Sequence, residues 1–188
     1  LKINQIEIND LYPKIEINIK KFNEKNSDLL RNGKKISFGI DSFEDYKMWY
    51  EDNFIELANY LYSKKLFDYI YLICAPNKSH IAKNIIKNSN NNYFIDCSHK
   101  DLTGVITAIK NSYLFIGNNS GPLNLASALG VKSFGLIVND PISELQFSDI
   151  NFITPDNYKD DIWIRDRRNM KSLSSKKVFD TIIENLNE

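Results

Sequence analysis

Cysteine is nearly absent from this sequence of 188 residues, which contains only Cys74 and Cys97. Two cysteines are too few for a disulfide scaffold, and neither has a nearby cysteine or paired histidines at the spacing of a zinc site. Both fall within or at the end of an apolar run. We therefore interpret them as small buried side chains rather than as reactive thiols or metal ligands.

An excess of charge of one sign is missing as well, because 24 Lys and Arg residues balance 24 Asp and Glu residues. A protein dedicated to nucleic acid normally carries a basic excess, so this balance argues against that class. No apolar run approaches the roughly 20 residues that cross a bilayer, and no signal-peptide pattern opens the chain. We therefore expect a cytoplasmic protein with no nucleic-acid partner and at most peripheral contact with the inner face of the membrane.

What the sequence does contain is material for a packed core. Hydrophobic residues make up 43% of the chain, which includes 11 Phe, 10 Tyr and 2 Trp. This composition argues against global disorder, and the length suits one α/β domain. The chain begins with Leu1 rather than Met, from which we expect that an upstream part of the protein has been removed.

Apolar periodicity predicts strands that alternate with helices along the chain. For example, Phe54, Leu57 and Leu61 share one face of a predicted amphipathic helix. Strands are predicted at residues 14–19, 36–40, 69–74, 93–96, 113–116 and 133–138, and helices at 22–31, 51–63, 79–87, 102–110, 123–129 and 174–186.

This alternation with short turns is typical of a parallel sheet with helices on both faces. We predict a Rossmann-like, three-layer α/β/α domain with a mostly parallel sheet of about five or six strands. Residues 1–188 are interpreted as a single domain. Within it, residues 1–35 form a lead-in, 36–150 the core, and 151–188 a C-terminal segment and helix.

The candidate binding site is the junction between the strand that ends near residue 116 and the helix that follows. Open α/β sheets bind ligands beyond the carboxyl ends of their strands, close to a helix N-terminus. Gly117 and Gly121 are expected to allow backbone geometry that a Cβ would obstruct. Pro122 suits the first helical turn, where a missing N–H costs nothing.

The polar groups of this junction suit a diphosphate. Free N–H groups around residues 121–124, helped by the helix dipole, attract an anion. The side chains of Asn119, Ser120 and Asn124 offer a hydroxyl and two amides. The same spacing also fits an ordinary strand–turn–helix joint in which Ser or Asn caps the helix, so both interpretations stay open at this point.

The junction also resembles a known family. Residues 117–131, Gly-Asn-Asn-Ser-Gly-Pro-Leu-Asn-Leu-Ala-Ser-Ala-Leu-Gly-Val, resemble the signature of glycosyltransferase family 9, the lipopolysaccharide heptosyltransferases. Three further segments resemble family segments in the same order: Asp45 to Trp49 with the helix behind it, residues 102–110, and Met-Lys-Ser-Leu at 170–173. The resemblance covers the chain from Ile36 to Asn187.

This resemblance implies the GT-B architecture of a bacterial transferase with two Rossmann-like domains. The N-terminal domain binds the acceptor and supplies the catalytic base, and the C-terminal domain, which this chain matches, binds a nucleoside-diphosphate sugar. The implied donor is ADP-heptose, the implied acceptor a glycan or glycolipid of lipopolysaccharide biosynthesis, and no cofactor or metal is needed. We therefore expect the donor-binding half of a transferase that lacks its catalytic base.

Residue by residue, the resemblance places Lys47 at the donor phosphates and Ser120 and Gly121 in the phosphate-contacting turn. Two positions depart from the family: its acidic residue before Ser/Thr-Gly is Asn119 here, and its histidine is Asn124. Both amides still form hydrogen bonds but carry no charge, which puts the chemistry in question more than the fold. The rest of the implied donor site consists of Ser42, Pro122, Asn77 near the nucleoside and Leu102 beside the base.

The two neutral amides leave a second hypothesis open, in which the chain is a non-catalytic nucleotide- or nucleotide-sugar-binding module or a degenerate paralogue. A third is another enzyme of this architecture, such as a sugar-nucleotide epimerase, but the sequence offers no convincing pair of catalytic carboxylates. A flavodoxin-like signalling domain would carry its phosphate loop after the first strand rather than a late one. His80 and His99 share no motif with the cysteines and are interpreted as structural or solvated side chains.

Overall fold

The computed structural model describes residues 2–3, 6–7, 13–145 and 149–187 of the chain. In these ranges the strands are β1 (Lys2–Ile3), β2 (Ile6–Glu7), β3 (Lys35–Gly39), β4 (Tyr69–Ile73), β5 (Phe94–Asp96), β6 (Leu114–Asn118), β7 (Lys132–Leu136) and β8 (Asn151–Ile153). The α-helices are α1 (Ile19–Lys25), α2 (Glu51–Ser63), α3 (Ser79–Ser89), α4 (Leu102–Lys110), α5 (Gly121–Ala128) and α6 (Ser175–Asn187). Short 3-10 helices lie at Ser27–Leu29, Asp45–Lys47, Pro76–Lys78, Ile142–Glu144 and Arg167–Ser172.

Six of the strands form one sheet in the order β5-β4-β3-β6-β7-β8, and every neighbouring pair in it is parallel. β1 and β2 form a separate antiparallel pair. The chain starts the large sheet with β3, builds outward through β4 and β5, and then returns to the other side of β3 with β6. This reversal is the switch point at which open α/β sheets bind ligands. The predicted Rossmann-like fold is confirmed, and the large sheet is parallel throughout.

Side chains that alternate along the strands build a core on each face of the sheet. On one face, Phe38, Ile116 and Phe134 are buried together with residues of α2, α3 and α6. On the other face, Tyr71 and Phe115 are buried with residues of α4 and α5. Because helices cover both faces, the central strands read as continuous apolar runs. None of the helices in the described ranges combines the length and apolarity needed to cross a bilayer.

The two central strands contact each other through glycines at the switch point. Gly39 and Gly117 are direct partners in the β3–β6 register. A Cβ on Gly117 would lie 2.9 Å from the Gly39 Cα atom, a distance that real Cβ atoms do not tolerate. The expectation that Gly117 is needed for its missing Cβ is therefore correct, and the reason is close packing between strands.

Several elements near the chain ends differ from the sequence-based prediction. The strand predicted at residues 14–19 is wrong, since residues 13–18 have no regular structure and Ile19 begins α1. Ile17 packs on the core beside α4 and α5, and the Ile15 N–H donates to the Ala128 carbonyl at 2.8 Å, so this segment lies against the helical layer. The helix predicted over 22–31 ends at Lys25 and gives way to the 3-10 turn at 27–29. β8 was not predicted from the sequence.

Trp49 joins the loop after β3 to two other parts of the domain. Its side chain is buried, and its Nε1–H donates to the Leu173 carbonyl at 2.8 Å. Its backbone N–H donates to Asn118 Oδ1 at 2.9 Å, at the end of β6. The indole also meets the Phe54 ring edge-on, with 5.0 Å between ring centroids. The loop that carries the candidate lysine is therefore fixed to β6 and to the segment before α6.

We expect Trp49→Phe to lower the free energy of unfolding by roughly 1–3 kcal/mol, because the buried Leu173 carbonyl loses its donor. Urea unfolding followed by far-UV circular dichroism measures the loss. Trp163→Phe is the matched control, because the Trp163 side chain is 49% exposed and should cost much less. Equal losses in the two variants would contradict the anchoring role of Trp49.

Candidate functional site

A cleft with a volume of about 710 Å³ opens at the carboxyl edge of the sheet. It lies among the loops after β3, β4 and β6 and the first turns of α4 and α5, at the switch point of the strand order. Its volume falls within the range of small-molecule sites. The structure thus places a cavity at the junction that the sequence singled out.

The walls of the cleft are mainly apolar, with a few polar groups among them, which is the usual composition of a small-molecule site. Two large apolar side chains at its rim face solvent: Phe43 is 99% exposed and Leu102 is 66% exposed. Exposed apolar side chains of this kind can pack against an aromatic ring of a ligand. The inner apolar wall is formed by Ile73, Cys74, Val105 and Leu125, and the polar groups belong to Asp41, Ser42, Asn77, Lys78, Lys100 and Ser120.

Ser120 lines this cleft and has a hydroxyl without a partner. The residue occupies the N-cap position of α5, but its side chain makes no capping hydrogen bond. Its Oγ is buried and unpaired within the part of the chain that the structure describes. A buried polar atom of this kind costs about 1–3 kcal/mol and is rare in native proteins. The Ser120 side chain therefore does not cap α5, and the ligand-binding interpretation of this junction stays a prediction.

Two expectations about the same turn need correction. The N–H groups of Leu123 and Asn124 both donate to the Ser120 carbonyl, at 3.1 and 3.4 Å, and Pro122 has none. The predicted set of free N–H groups is therefore reduced to that of Gly121. A Cβ on Gly121 would meet no atom within 4 Å, so the backbone does not require glycine there as it does at Gly117. The open space at Gly121 is part of the cleft.

Hydrogen bonds join the loops around the cleft and occupy some of its polar groups. The Ser42 hydroxyl donates to the Asn119 carbonyl at 3.0 Å, which ties the loop after β3 to the end of β6. Asp41 Oδ2 accepts from the Ala75 N–H at 2.8 Å, and the Lys78 ammonium donates to the Ser42 carbonyl at 2.6 Å. Ser42, a predicted ligand-binding residue, thus uses its hydroxyl to hold the walls together.

Lys47 lies beside the cleft rather than in its wall, within a cluster of charged and aromatic groups. Its Nζ is 2.7 Å from Glu44 Oε2 and 3.3 Å from Asp140 Oδ1, and its side chain is 14% exposed. The rings of Tyr46 and Trp163 lie 5.6 and 5.8 Å from the same ammonium, within the range of cation–π contacts. This lysine is therefore already paired within the chain.

The pKa values in the cluster follow from these contacts. Burial pulls the pKa of Lys47 down, but its pairs with Glu44 and Asp140 outweigh burial and place it above the ordinary value. The Lys47 ammonium, followed by the Tyr46 hydroxyl, holds the pKa of Glu44 below its usual range. Lys47 is therefore a cation and Glu44 an anion at neutral pH, and Glu44 is a poor proton acceptor.

The two asparagines that replace the family's charged residues have different surroundings. Asn119 Nδ2 donates to Asp140 Oδ2 at 2.8 Å, so an amide and a buried carboxylate form a pair at the end of β6. Asn124 is exposed on the first turn of α5, and its amide reaches the Ser120 carbonyl at 3.5 Å. Asn119 thus belongs to the Lys47 cluster through Asp140, whereas Asn124 faces solvent.

The predicted site residues divide into two neighbouring groups at this edge of the sheet. One group lines the cleft: Ser42, Asn77, Leu102, Ser120, Gly121 and Pro122. The other consists of Lys47 and Asn119, which meet through Asp140, while Asn124 lies on the exposed side of α5.

Sequence reasoning missed Asp140 and Lys78. Lys78 lies in the loop after β4 and Asp140 in the loop after β7, at the carboxyl edge of the parallel sheet, and this position could have indicated them. Asp140 is 2% exposed, a burial that periodicity did not reveal.

The cysteines and histidines play no part in these contacts. Cys74 and Cys97 are free and buried, and burial raises the pKa of each thiol to about 12, which leaves them protonated at neutral pH. This agrees with their interpretation as packed side chains, although Cys74 also forms part of the cleft wall. His80 and His99 are exposed. Among the residues described, no three His, Cys, Asp or Glu side chains are grouped as metal ligands would be.

With this geometry established, comparison with known proteins decides the family. The sequence model of glycosyltransferase family 9 (heptosyltransferase) matches residues 4–179. The chain belongs to glycosyltransferase family 9. The resemblance noted in the sequence is thereby confirmed over most of the chain, although no curated protein sequence matches it.

Solved structures show the same fold at low sequence identity. The E. coli ADP-heptose LPS heptosyltransferase II superposes with a TM-score of 0.74 at 14% identity, over 92% of this family 9 chain and 53% of that one. E. coli heptosyltransferase WaaC, solved with ADP, gives 0.63 at 19% identity over 86% and 47%. A family 9 glycosyl transferase from Veillonella parvula gives 0.70 at 16% identity over 94% and 54%. The chain spans about half the length of these proteins.

The Asn119–Asp140 pair predicts the outcome of restoring the family's acidic residue. We expect Asn119→Asp to lower the free energy of unfolding by roughly 1–3 kcal/mol, because Asp140 loses its donor and two carboxylates meet. Adding Asp140→Asn exchanges donor and acceptor and should recover most of the loss, as a double-mutant cycle in urea at pH 7 would measure.

Asn124→Asp is the matched control, since that amide is exposed and should tolerate the same change. An Asn119→Asp variant as stable as the parent would argue against the pair.

Proposed function

We propose that this chain is the donor-binding half of a glycosyltransferase that moves a heptose-like sugar from a nucleoside diphosphate to a saccharide or lipopolysaccharide-core acceptor. The observation that carries the proposal is the cleft at the switch point of a family 9 fold, whose wall includes Ser120 with a buried hydroxyl that has no partner among the described residues. That position is where doubly wound folds bind nucleotides, next to a helix N-terminus. Relatives solved with ADP and with ADP-2-deoxy-2-fluoro heptose support an ADP-sugar as the donor.

The order of groups along the site suggests how a donor would lie in it. The apolar wall and the exposed rim side chains of Phe43 and Leu102 would take the base. Ser120, Gly121 and Lys47 would meet the diphosphate, and the sugar would extend toward Asn119. In this pose, Lys47 would neutralise the diphosphate as it leaves, which is the task of a fixed cation in phosphate chemistry.

In the proposed reaction, the acceptor hydroxyl attacks the anomeric carbon while the bond to the diphosphate breaks, so the sugar inverts its configuration. A base must then take the hydroxyl proton. The described carboxylates near the cleft are engaged elsewhere: Asp41 accepts a backbone N–H, and Glu44 and Asp45 pair with lysines that hold their pKa values low. We infer that the base comes from an N-terminal domain that faces this one, which fits a chain about half as long as its structural relatives.

A non-catalytic nucleotide-sugar-binding module, or a degenerate paralogue, is the second candidate. It is favoured by the neutral amides at Asn119 and Asn124, where the family signature carries an acid and a histidine. Both candidates bind the donor through the same cleft, so donor binding alone does not distinguish them. Sugar transfer by a form of the protein that includes the N-terminal domain would distinguish them. We further propose that the protein acts in the cytoplasm, with its acceptor at the inner face of the membrane.

Lys47→Ala should weaken ADP binding by roughly 1–3 kcal/mol, because a charge-assisted contact to phosphate is lost. Isothermal titration with ADP, and with UDP, GDP and CDP for comparison, measures the change. Lys176→Ala removes an exposed lysine of α6 that pairs with Asp180, and it should bind ADP as the parent does. An ADP affinity that is unchanged in Lys47→Ala would remove this residue from the site.

The isolated chain should bind the donor but transfer no sugar, because one wall of the cleft cannot supply the base or exclude water. The assay compares this chain with the same chain extended by the N-terminal half, using radiolabelled ADP-heptose and a lipid A–Kdo acceptor. Transfer by the extended form alone supports the proposed function. Transfer by the 188-residue chain would contradict the half-enzyme proposal, and no transfer by either form would favour the binding module.

A further inference from the structure

Lys47 lies between two carboxylates that differ sharply in burial. The Asp140 side chain is 3% exposed and lies 3.3 Å from the ammonium, whereas the Glu44 side chain is 41% exposed and lies 2.7 Å away. Lys47 alone does not balance the two carboxylates, and Arg165 is a further cation close enough to lower the pKa of Glu44. A phosphate that approaches Lys47 would still meet the Glu44 carboxylate on the same ammonium and be repelled by it.

The two ion pairs also differ in how easily they break. A pair with an exposed carboxylate contributes little, because water screens and replaces it. Separating Lys47 from Asp140 would instead leave a buried carboxylate without its cation, which is strongly unfavourable. An ammonium group has three N–H donors, so Lys47 can keep Asp140 and exchange Glu44 for another anion.

Asp140 is itself held by hydrogen bonds to two other segments of the chain. Asn119 Nδ2 donates to its Oδ2 at 2.8 Å, and the Tyr158 hydroxyl donates to its backbone carbonyl at 2.7 Å. Asn119 directly precedes Ser120, a residue of the cleft wall whose buried hydroxyl has no partner among the described residues. The fixed carboxylate therefore ties Lys47 to the strand end that faces the ligand.

We propose that Asp140 is the positioning residue for Lys47, and that Glu44 occupies the place of the donor phosphate in the ligand-free protein. When a diphosphate enters, it replaces Glu44 on the Lys47 ammonium while Asp140 keeps that ammonium at the cleft. The inference rests on the proposed function, since it concerns how the same site receives its phosphate. It predicts that Asp140 strengthens the binding of a diphosphate and that Glu44 weakens it, although both carboxylates contact Lys47.

Calorimetric titration of the chain with ADP, pyrophosphate and adenosine tests this proposal. Asp140→Asn keeps an acceptor for Asn119 but removes the charge, and it should raise the Kd for ADP roughly tenfold. Glu44→Gln should lower the same Kd severalfold, because the internal competitor loses its charge. Adenosine has no phosphate, so its affinity should not change in either variant. In a Lys47→Met background, both effects on ADP should vanish.

Asp180→Asn is the matched control, because it removes the partner of Lys176 on α6, outside the cleft and the Lys47 cluster. It should leave all three affinities unchanged. An Asp140→Asn variant that binds ADP as tightly as the parent overturns the proposal, as does an effect that persists without Lys47. Glu44 is exposed enough for Glu44→Gln to fold even if Asp140→Asn does not, and a weaker ADP affinity in Glu44→Gln overturns the proposal as well.

A ligand-free measurement separates this inference from the proposed function. The urea midpoints of Asp140→Asn, Lys47→Met and the double variant should be clearly non-additive if the buried carboxylate holds the ammonium. Additive midpoints overturn the positioning role. A parent chain that binds neither ADP nor pyrophosphate contradicts the proposed function, and the urea cycle still decides whether Asp140 holds Lys47.

Discussion

β3 and β6 are hydrogen-bonded neighbours at the centre of the sheet, yet the chain leaves them toward opposite faces. After β3 it enters α2, whose Phe54 and Leu57 belong to one core, and after β6 it enters α5, whose Leu123 and Ala126 belong to the other. Loops that diverge from adjacent strands cannot close the space between their ends. The cleft is that space, so every contact in the site depends on the reversal of strand order.

The charged and amide groups beside the cleft come from different loops. Lys47 follows β3, Asn119 follows β6 and Asp140 follows β7, and short polar contacts join them into one network. The family signature has an acid where this chain has Asn119, but Asp140 brings a carboxylate against that amide from another loop. The negative charge is therefore present at this end of the sheet, supplied from a different position in the sequence.

The fold was predictable where apolar residues recur with a regular period over several turns or residues, and it was less predictable near the chain ends. Helices over 51–63 and 102–110 were predicted with the bounds that the structure shows, because each has one apolar face of several turns. The alternating pattern of residues 14–19 resembled a strand, but alternation says nothing about whether a neighbouring strand exists to pair with it. β8 is the converse case. Its sequence shows no strand pattern, and it is a strand because it pairs with β7.

For the site, the sequence by itself determined the family, the alternation of strands and helices, and the turn at residues 117–122 with its serine and glycines. These are local properties, and residues close in sequence are enough to show them. Only the tertiary structure decided that Lys47 is paired with carboxylates, that the Ser42 hydroxyl donates to a backbone carbonyl, and that Asp140 is buried against Asn119. The contacts made by Asn119 and Asp140 join residues 21 to 93 positions apart, and which of them meet depends on the strand order of the sheet.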